Sequence, residues 1–338
     1  MSSILVVNAG STSLKLSIVD ANGVSRSVES YEDARSQVDA VAHRVVHGGM
    51  RFGDPVVVDD GVKAALEEVA DLAPLHQRKA LAAIDTAREA LPNVPHVAVF
   101  DTAFHRTMPD EASTYALPAR WRDEWGIRRY GFHGLSVQWA SEQVRVQRLV
   151  VCHLGGGCSV SAVLDGRSVD TTMGFSPLEG VPMGTRSGSI DPEIVLHLLR
   201  TGKLGREEIE RGLESESGLQ GLAGSARVDE LQHSDAPGAK LALAVFGHRV
   251  AAAVASMASA LGGVDALVFT AGIGEGSAGV RRDVCGRLVF LGIELDRDAN
   301  DGAVPDVDVS QPGAAVRVVV LHAREDAVAA RATRELLD

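Results

Sequence analysis

Apolar and polar positions along the chain alternate between two periods. Ile4–Val7 and Leu14–Val19 read as strands around a polar, glycine-centred turn at Asn8–Ser13, and Asp20-Ala21-Asn22-Gly23 ends the pair as a tight turn. A similar unit recurs about 145 residues later. Leu149–His153 is apolar, Gly155-Gly156-Gly157 turns, Ser159–Leu164 is strand-like and Asp165-Gly166 closes. An offset of about 145 carries Gly10 onto Gly155 and Asp20 onto Asp165. Two related α/β domains are therefore expected, each offering a glycine turn. Between the copies, Val62–Leu72 and Gln77–Leu91 show helical spacing broken at Pro74, and Val97–Phe100 is a buried-type strand ending on Asp101. Leu135–Val146 and Lys240–Leu261 read as helices, the second buried on more than one side. Ala266–Thr270 reads as a strand running into Gly272-Ile273-Gly274-Glu275, and Asp326–Leu336 as a last helix.

A chain of 338 residues suits two domains. No linker separates the halves, so the boundary is expected as a hinge near His105–Pro109. That gives a first domain of residues 1–105 plus 327–338 and a second of 106–326. With 45% hydrophobic and 23% charged residues the balance is that of a globular protein. No apolar run is expected to span a membrane, and the N-terminus reads as a strand rather than a signal peptide. Cys152, Cys158 and Cys285 form no metal-type spacing, which fits a reducing, cytoplasmic setting. A formal charge of −12 argues against nucleic acid as a partner. It does not exclude nucleotides, because a local cluster of cations and amides overrides the global sign.

Several residues are candidates for chemistry. Asn8–Ser13 with Lys15 offers small residues, hydroxyls and an ammonium to an anion, or is an ordinary serine-rich turn. Arg44, inside the apolar run Val41–Val46, meets either an anion or a structural carboxylate, and His43 and His47 beside it suit hydrogen-bonded structure better than a metal. Asp101 stands at the expected carboxyl end of a strand, where ligands collect in α/β sheets, or caps a helix. His133 sits between Gly131 and Gly134, with room for a substrate beside it or a structural role instead. The irregular stretch Asp170–Gly188 carries Arg186 among small residues, and Gly272–Glu275 suits a nucleotide, although a lone GxG is weak.

The segments NAGSTSLK, HRVVHGG, LAPLH, VFDTAFHRTMP, RRYGFHG, MGFSPLEG, MGTRSG and FTAGIGE together resemble the acetate kinase family, within the sugar kinase, actin and heat-shock chaperone ATPase superfamily. The resemblance implies two actin-like, ribonuclease H-like domains facing an interdomain cleft. It implies magnesium-dependent, reversible transfer of the ATP γ-phosphoryl group to acetate, with manganese able to replace magnesium, ADP as the product nucleotide and a homodimer as the assembly. Carried over by position, Arg44, Asp101, His133 and Arg186 are the catalytic residues. His76 supports them, and Val46, Leu75, Phe132 and Pro177 form the pocket for the acetate methyl. Asn8 and Glu325 hold the metal. Asn8, Ser11, Ser13, Lys15, His153, Gly155, Gly156, Gly157, Arg227, Val228, Asp229, Gly272, Ile273, Gly274 and Glu275 form the nucleotide side.

The chain departs from the family at Gly156, where asparagine is usual, at Gln77-Arg78, at Arg227-Val228-Asp229, where the two charges are exchanged, and at Arg324. It is also shorter than typical members. Most departures bear on the nucleotide side. Propionate or butyrate as acceptor, or pyrophosphate as donor, therefore stand as alternatives, and a non-catalytic nucleotide-binding module as a more distant one.

Overall fold

The computed structural model describes residues 3–9, 14–70 and 74–338, the side chains of 74–76 excepted. The chain forms two compact units. One comprises Met1–Arg106, Ala116–Trp139 and Arg324–Asp338, the other Thr107–Tyr115 and Ala140–Ala323.

In the first unit β1 (Ile4–Ala9) pairs antiparallel with β2 (Leu14–Val19), and β2 with β3 (Ser25–Val28). On its other side β1 runs parallel to β4 (Ala40–Val45). That strand is parallel to β6 (His96–Phe100), and β5 (Val56–Val57) closes the edge antiparallel. The order is β3-β2-β1-β4-β6-β5. The second unit repeats it with β7 (Arg148–Leu154), β8 (Cys158–Leu164), β9 (Arg167–Thr171), β10 (Ala266–Thr270), β11 (Val307–Asp308) and β12 (Arg317–Val320). Its order is β9-β8-β7-β10-β12-β11, and each pairing has the same sense as its counterpart. The internal repeat is thus a duplicated ribonuclease H-like topology.

Its register needs one correction. The offset of 145 that carries Ile4 onto Leu149 falls to 144 at their partners, Val19 and Val163. The second turn is one residue shorter, so Asp20 corresponds to Leu164 rather than Asp165.

Central strands of both sheets are buried along their length, as expected when helices cover both faces. On one face of the first sheet, Val328, Ala329 and Ala330 of the final helix Glu325–Leu337 pack with Ile4, Val6, Ala42, Val99 and Leu135. On the other, Ala83 and Ala87 of the helix Pro74–Ala90 pack with Leu5, Val7 and Val41. Leu135 in that first core explains why Ala116–Trp139 groups with the first sheet, although the sequence division had assigned it to the second domain. Arg324–Asp326 group with the first unit as well, because they cap and open the returning helix.

Pro74 opens its helix instead of breaking it, since proline's missing N–H costs nothing in a first turn. The preceding helix runs Asp60–Glu68, started by the Asp59 carboxylate accepting from Val62 N. The helix Gly134–Gln143 stops three residues before the expected end. Pro237–Leu261 is long and apolar enough to cross a membrane, contrary to the reading of the sequence. Ala242, Phe246, Val250 and Val254 are fully buried along it, and it packs on β7 and β8 as a core helix.

Candidate active site

The first unit gathers its polar candidates at the carboxyl ends of its parallel strands. Lys15, Asn8 and Arg44 lie side by side across β2, β1 and β4, because register places Asn8 opposite Lys15 on one side and Arg44 on the other. Asp101 follows β6, and its N–H bonds to Val45 O at 3.0 Å. Both nitrogens of one edge of the Arg44 guanidinium reach the Asp101 carboxylate, Nε to Oδ1 at 3.0 Å and Nη2 to Oδ2. Nη1 donates to Asn8 Oδ1 at 2.9 Å. Glu325, first residue of the returning helix, places Oε2 3.5 Å from both Arg44 Nε and Asn8 Nδ2.

Four residues spread over the sequence therefore share one network, in which Asp101 is 1% and Arg44 13% exposed. Of the two readings left open for Arg44, the structure shows the structural carboxylate: the ion pair with Asp101 holds the guanidinium beside Asn8 and Glu325. Burial pushes the Asp101 carboxyl up to about 6, with the Arg44 guanidinium pulling it down and the Glu325 carboxylate adding to the rise. Burial acts against the Arg44 charge, but Asp101 and Glu325 together hold its guanidinium above the usual range.

His133 is tied to the same place through the main chain. Gly134 N donates to Asp101 O at 2.9 Å, and a Cβ on Gly134 would lie 2.2 Å from that oxygen, so only glycine fits. His133 itself has φ +58, in the left-handed region that favours glycine and that histidine enters more often than most side chains. The preceding carbonyl, Phe132 O, accepts from His105 Nε2 at 2.9 Å, and the His47 ring packs edge-on against Tyr130 and Phe132. Sequence reading does not single out His105, although it lies in the same segment as Asp101. Its signal is weak, because a histidine fully buried by contacts this distant looks like any other. Val46 and Phe132 are buried, at 4% and 1% exposure. Ser11 and Ser13 lie outside the described residues, as do the side chains of Leu75 and His76.

The second unit carries the remaining nucleotide-side candidates, His153 to Glu275. A Cβ on Gly155 would lie 3.4 Å from Ala271 Cβ and 3.9 Å from Gly272 N, so the two glycine turns touch. His153 and Thr270 face each other across β7 and β10 in the positions that Asn8 and Arg44 hold in the first unit. Gly272–Glu275 is not an open turn but part of a short helix, Ala271–Gly276, entered through Ala271 at φ +65. The Glu275 carboxylate accepts from Ala271 N at 2.9 Å and Ala323 N at 3.0 Å, and meets His322 Nδ1 at 2.7 Å. The carboxylate is a strut that ties this segment to Ala323 and His322.

Arg186 is held among small residues. Its Nη1 lies 3.5 Å from Pro177 O, and backbone bonds knit Met183–Ser187 to the region of Leu213–Gln220. Burial pulls its guanidinium below the usual range, while the Glu214 carboxylate opposes that shift. Arg227 and Asp229 sit exposed and bind each other, and Arg227 also meets Glu230 at 3.0 Å. Val228 between them is buried.

Comparison with known proteins identifies the family. The acetokinase family matches residues 24–331. An acetate kinase of Deinococcus deserti is 47% identical over 321 residues, covering 90% of this chain and 79% of the relative. One of Nostoc punctiforme is 45% identical over 306 residues, covering 87% and 75%. Among solved structures, a propionate kinase from Francisella tularensis superposes with a TM-score of 0.90 at 33% identity, covering 98% of this chain and 99% of that one. Porphyromonas gingivalis acetate kinase gives 0.87 at 31%, with both chains fully covered. The chain belongs to the acetokinase family, kinases that pass a phosphoryl group to a carboxylate.

Proposed function

We propose that this chain is an acetate kinase, transferring the γ-phosphoryl group of ATP reversibly to acetate by direct in-line displacement. A carboxylate oxygen forms the new bond to phosphorus while the bridging P–O bond breaks, its electron pair leaving with ADP. Acetate is already an anionic nucleophile and needs no base, so the obstacle is repulsion between two anions. The observation that carries this reading is the Asn8–Arg44–Asp101–Glu325 network, a buried cation fixed by a bidentate carboxylate. In this reading Arg44 and Arg186 face the carboxylate and the migrating phosphoryl group, and His133 donates a hydrogen bond in the transition state. Asp101 orients Arg44, and Val46, Leu75, Phe132 and Pro177 enclose the methyl group, with His76 supporting.

Among the described residues no group of three or more His, Cys, Asp or Glu could hold a metal. Asn8 Oδ1 and the Glu325 carboxylate are nevertheless hard oxygen donors, which fits magnesium, an ion that keeps waters and phosphate oxygens as its other ligands. Bound there, magnesium or manganese would neutralise phosphate charge. The reading includes a cytoplasmic homodimer. It is supported by three free, buried cysteines and by the apolar helix Pro192–Arg200, on which Ile194, Leu196 and Leu199 are exposed.

The propionate kinase likeness favours a second acceptor. One methylene in an apolar pocket is worth about 1–3 kcal/mol, so kcat/KM across acetate, propionate and butyrate decides the preference. Trapping the acyl phosphate with hydroxylamine tests the whole reading, and no product from any of the three acids with ATP would sink it. The mutual pairing of Arg227 and Asp229 keeps pyrophosphate open as donor, and turnover with each donor separates the two.

Gly156 offers a gain-of-function test. Its position is exposed, and a Cβ there would meet nothing within 4 Å. Gly156→Asn is expected to lower the ATP KM about fivefold, the effect of one added hydrogen bond of about 1 kcal/mol. The acetate KM should not move. An unchanged ATP KM would separate this turn from the nucleotide.

A further inference from the structure

Arg281, on the helix Ala278–Gly286, is only 2% exposed and heads the fully buried side chains by size. All of its hydrogen bonds go to neutral oxygens. Nη1 donates to Gly274 O at 2.9 Å and Glu275 O at 2.7 Å, Nη2 to Asn300 O at 2.9 Å, and Nε to Asn300 Oδ1 at 2.8 Å. Among the described residues it makes no ion pair. The acid it senses, Asp301, is bound to Arg282 near the surface, and the neighbouring Cys285 thiol is held neutral because burial pushes it up to about 12. A buried cation without a counter-charge is costly, and carbonyl dipoles offset only part of that cost.

Two of its four acceptors are consecutive carbonyls of the segment Gly272–Glu275. At the entrance to that segment stands a second unusual group. Thr270 is 1% exposed, and its Oγ1 has no hydrogen-bond partner among the described residues. A buried guanidinium without a direct ion pair and an unused hydroxyl at one segment both suit an anionic ligand there.

We propose that Arg281 is a positioning residue which fixes the Gly272–Glu275 segment and supplies it with positive potential for the phosphate chain of a nucleotide. The inference rests on the reading of that segment as nucleotide-side, and three variants of the full chain separate the two. Asn300→Asp keeps an oxygen beside Arg281 Nε but adds a counter-charge. Asn300→Ala removes the oxygen without adding charge. At Gly272 a new Cβ would meet nothing within 4 Å, so Gly272→Ala leaves the fold alone and reports only on a ligand.

Calorimetric titration with ADP, steady-state kinetics and thermal melting are the readouts. Asn300→Asp is expected to raise the ADP Kd and the ATP KM about tenfold, with the acetate KM within twofold of the parent. Asn300→Ala should change the ADP Kd less than threefold, even where it lowers the Tm. Equal weakening by both substitutions overturns the role of charge. Unchanged ADP binding in Asn300→Asp overturns it too: if Gly272→Ala weakens ADP, the nucleotide-side reading stands without Arg281, and if it does not, that reading falls as well. Should Asn300→Asp fail to fold, Arg281→Lys and Arg281→Gln pose the same question. Lysine is expected within threefold of the parent and glutamine about tenfold weaker, and equal affinities would refute the proposal.

Discussion

Replacing Arg44 by methionine is expected to lower kcat/KM about 10³-fold or more, since it removes a fixed cation from the point where two anions must meet. The same change should destabilise the first unit by about 3–5 kcal/mol, because it strands Asp101, at 1% exposure, without its partner. The two effects have different origins and can be separated. In Arg44→Met with Asp101→Leu an apolar pair replaces the ion pair, and such swaps are often neutral. Stability should then return while turnover does not. Arg44→Lys keeps a charge but cannot fork onto both Asp101 oxygens and Asn8, so an intermediate loss is expected. Urea unfolding and acyl hydroxamate formation measure the two effects. An active Arg44→Met protein, within tenfold of the parent, would remove Arg44 from the mechanism.

Arg44 also shows what a sequence makes legible. A cation inside an apolar strand run is locally anomalous, so it can be noticed without knowing its partners. Asp101 is similar, because the strand that ends on it is readable from its own apolar run. The duplication shows in two strand–turn–strand units, each visible by period, although these fix only the β1–β2 and β7–β8 pairings of the two sheets.

What stayed hidden depends on contacts distant in the chain. Glu325 meets Asn8 across 317 residues; no local pattern signals that approach, and only the family resemblance paired the two. The grouping of Ala116–Trp139 with the first sheet hangs on Leu135 entering a core built from β1, β4, β6 and the last helix. The bonds of the Glu275 carboxylate to Ala323 N and His322 Nδ1 reach almost fifty residues along the chain, beyond any local pattern. Pro74 misled for a local reason. Proline breaks a helix from within and begins one from its first turn, and apolar spacing does not tell these apart.

Acidification is expected to destabilise the first unit by roughly 3 kcal/mol between pH 7.5 and pH 5. His43 Nε2 lies 2.9 Å from His96 Nδ1, and His96 Nε2 lies 3.0 Å from Leu91 O. The carbonyl can only accept, so His96 donates from Nε2 and His43 donates to His96. His43 Nδ1 is then bare, buried and without a hydrogen-bond partner among the described residues. A proton there would create a cation with no acceptor, beside a second imidazole and within reach of the Arg88 charge. Burial, then His96 and Arg88, accordingly lower the His43 imidazole to about 3, and burial lowers His105 to about 4. Both values lie below the unfolded 6.5, so the stability they contribute is complete above that pH and drains away as pH falls. Each loses about 2 kcal/mol by pH 5, and His96 shifts in the same direction. Asp101 acts oppositely. Its carboxyl is raised from 3.8 to about 6, so it takes up a proton in the folded state first and returns about 1 kcal/mol at pH 5. Hydrogen exchange of the β4 and β6 amides, alongside urea unfolding, reads this unit separately from the second. His105→Gln should narrow the difference between the two pH values by about 2 kcal/mol, because glutamine does not titrate. Equal protection of those amides at both pH values in the parent protein would show that these imidazoles carry no such penalty.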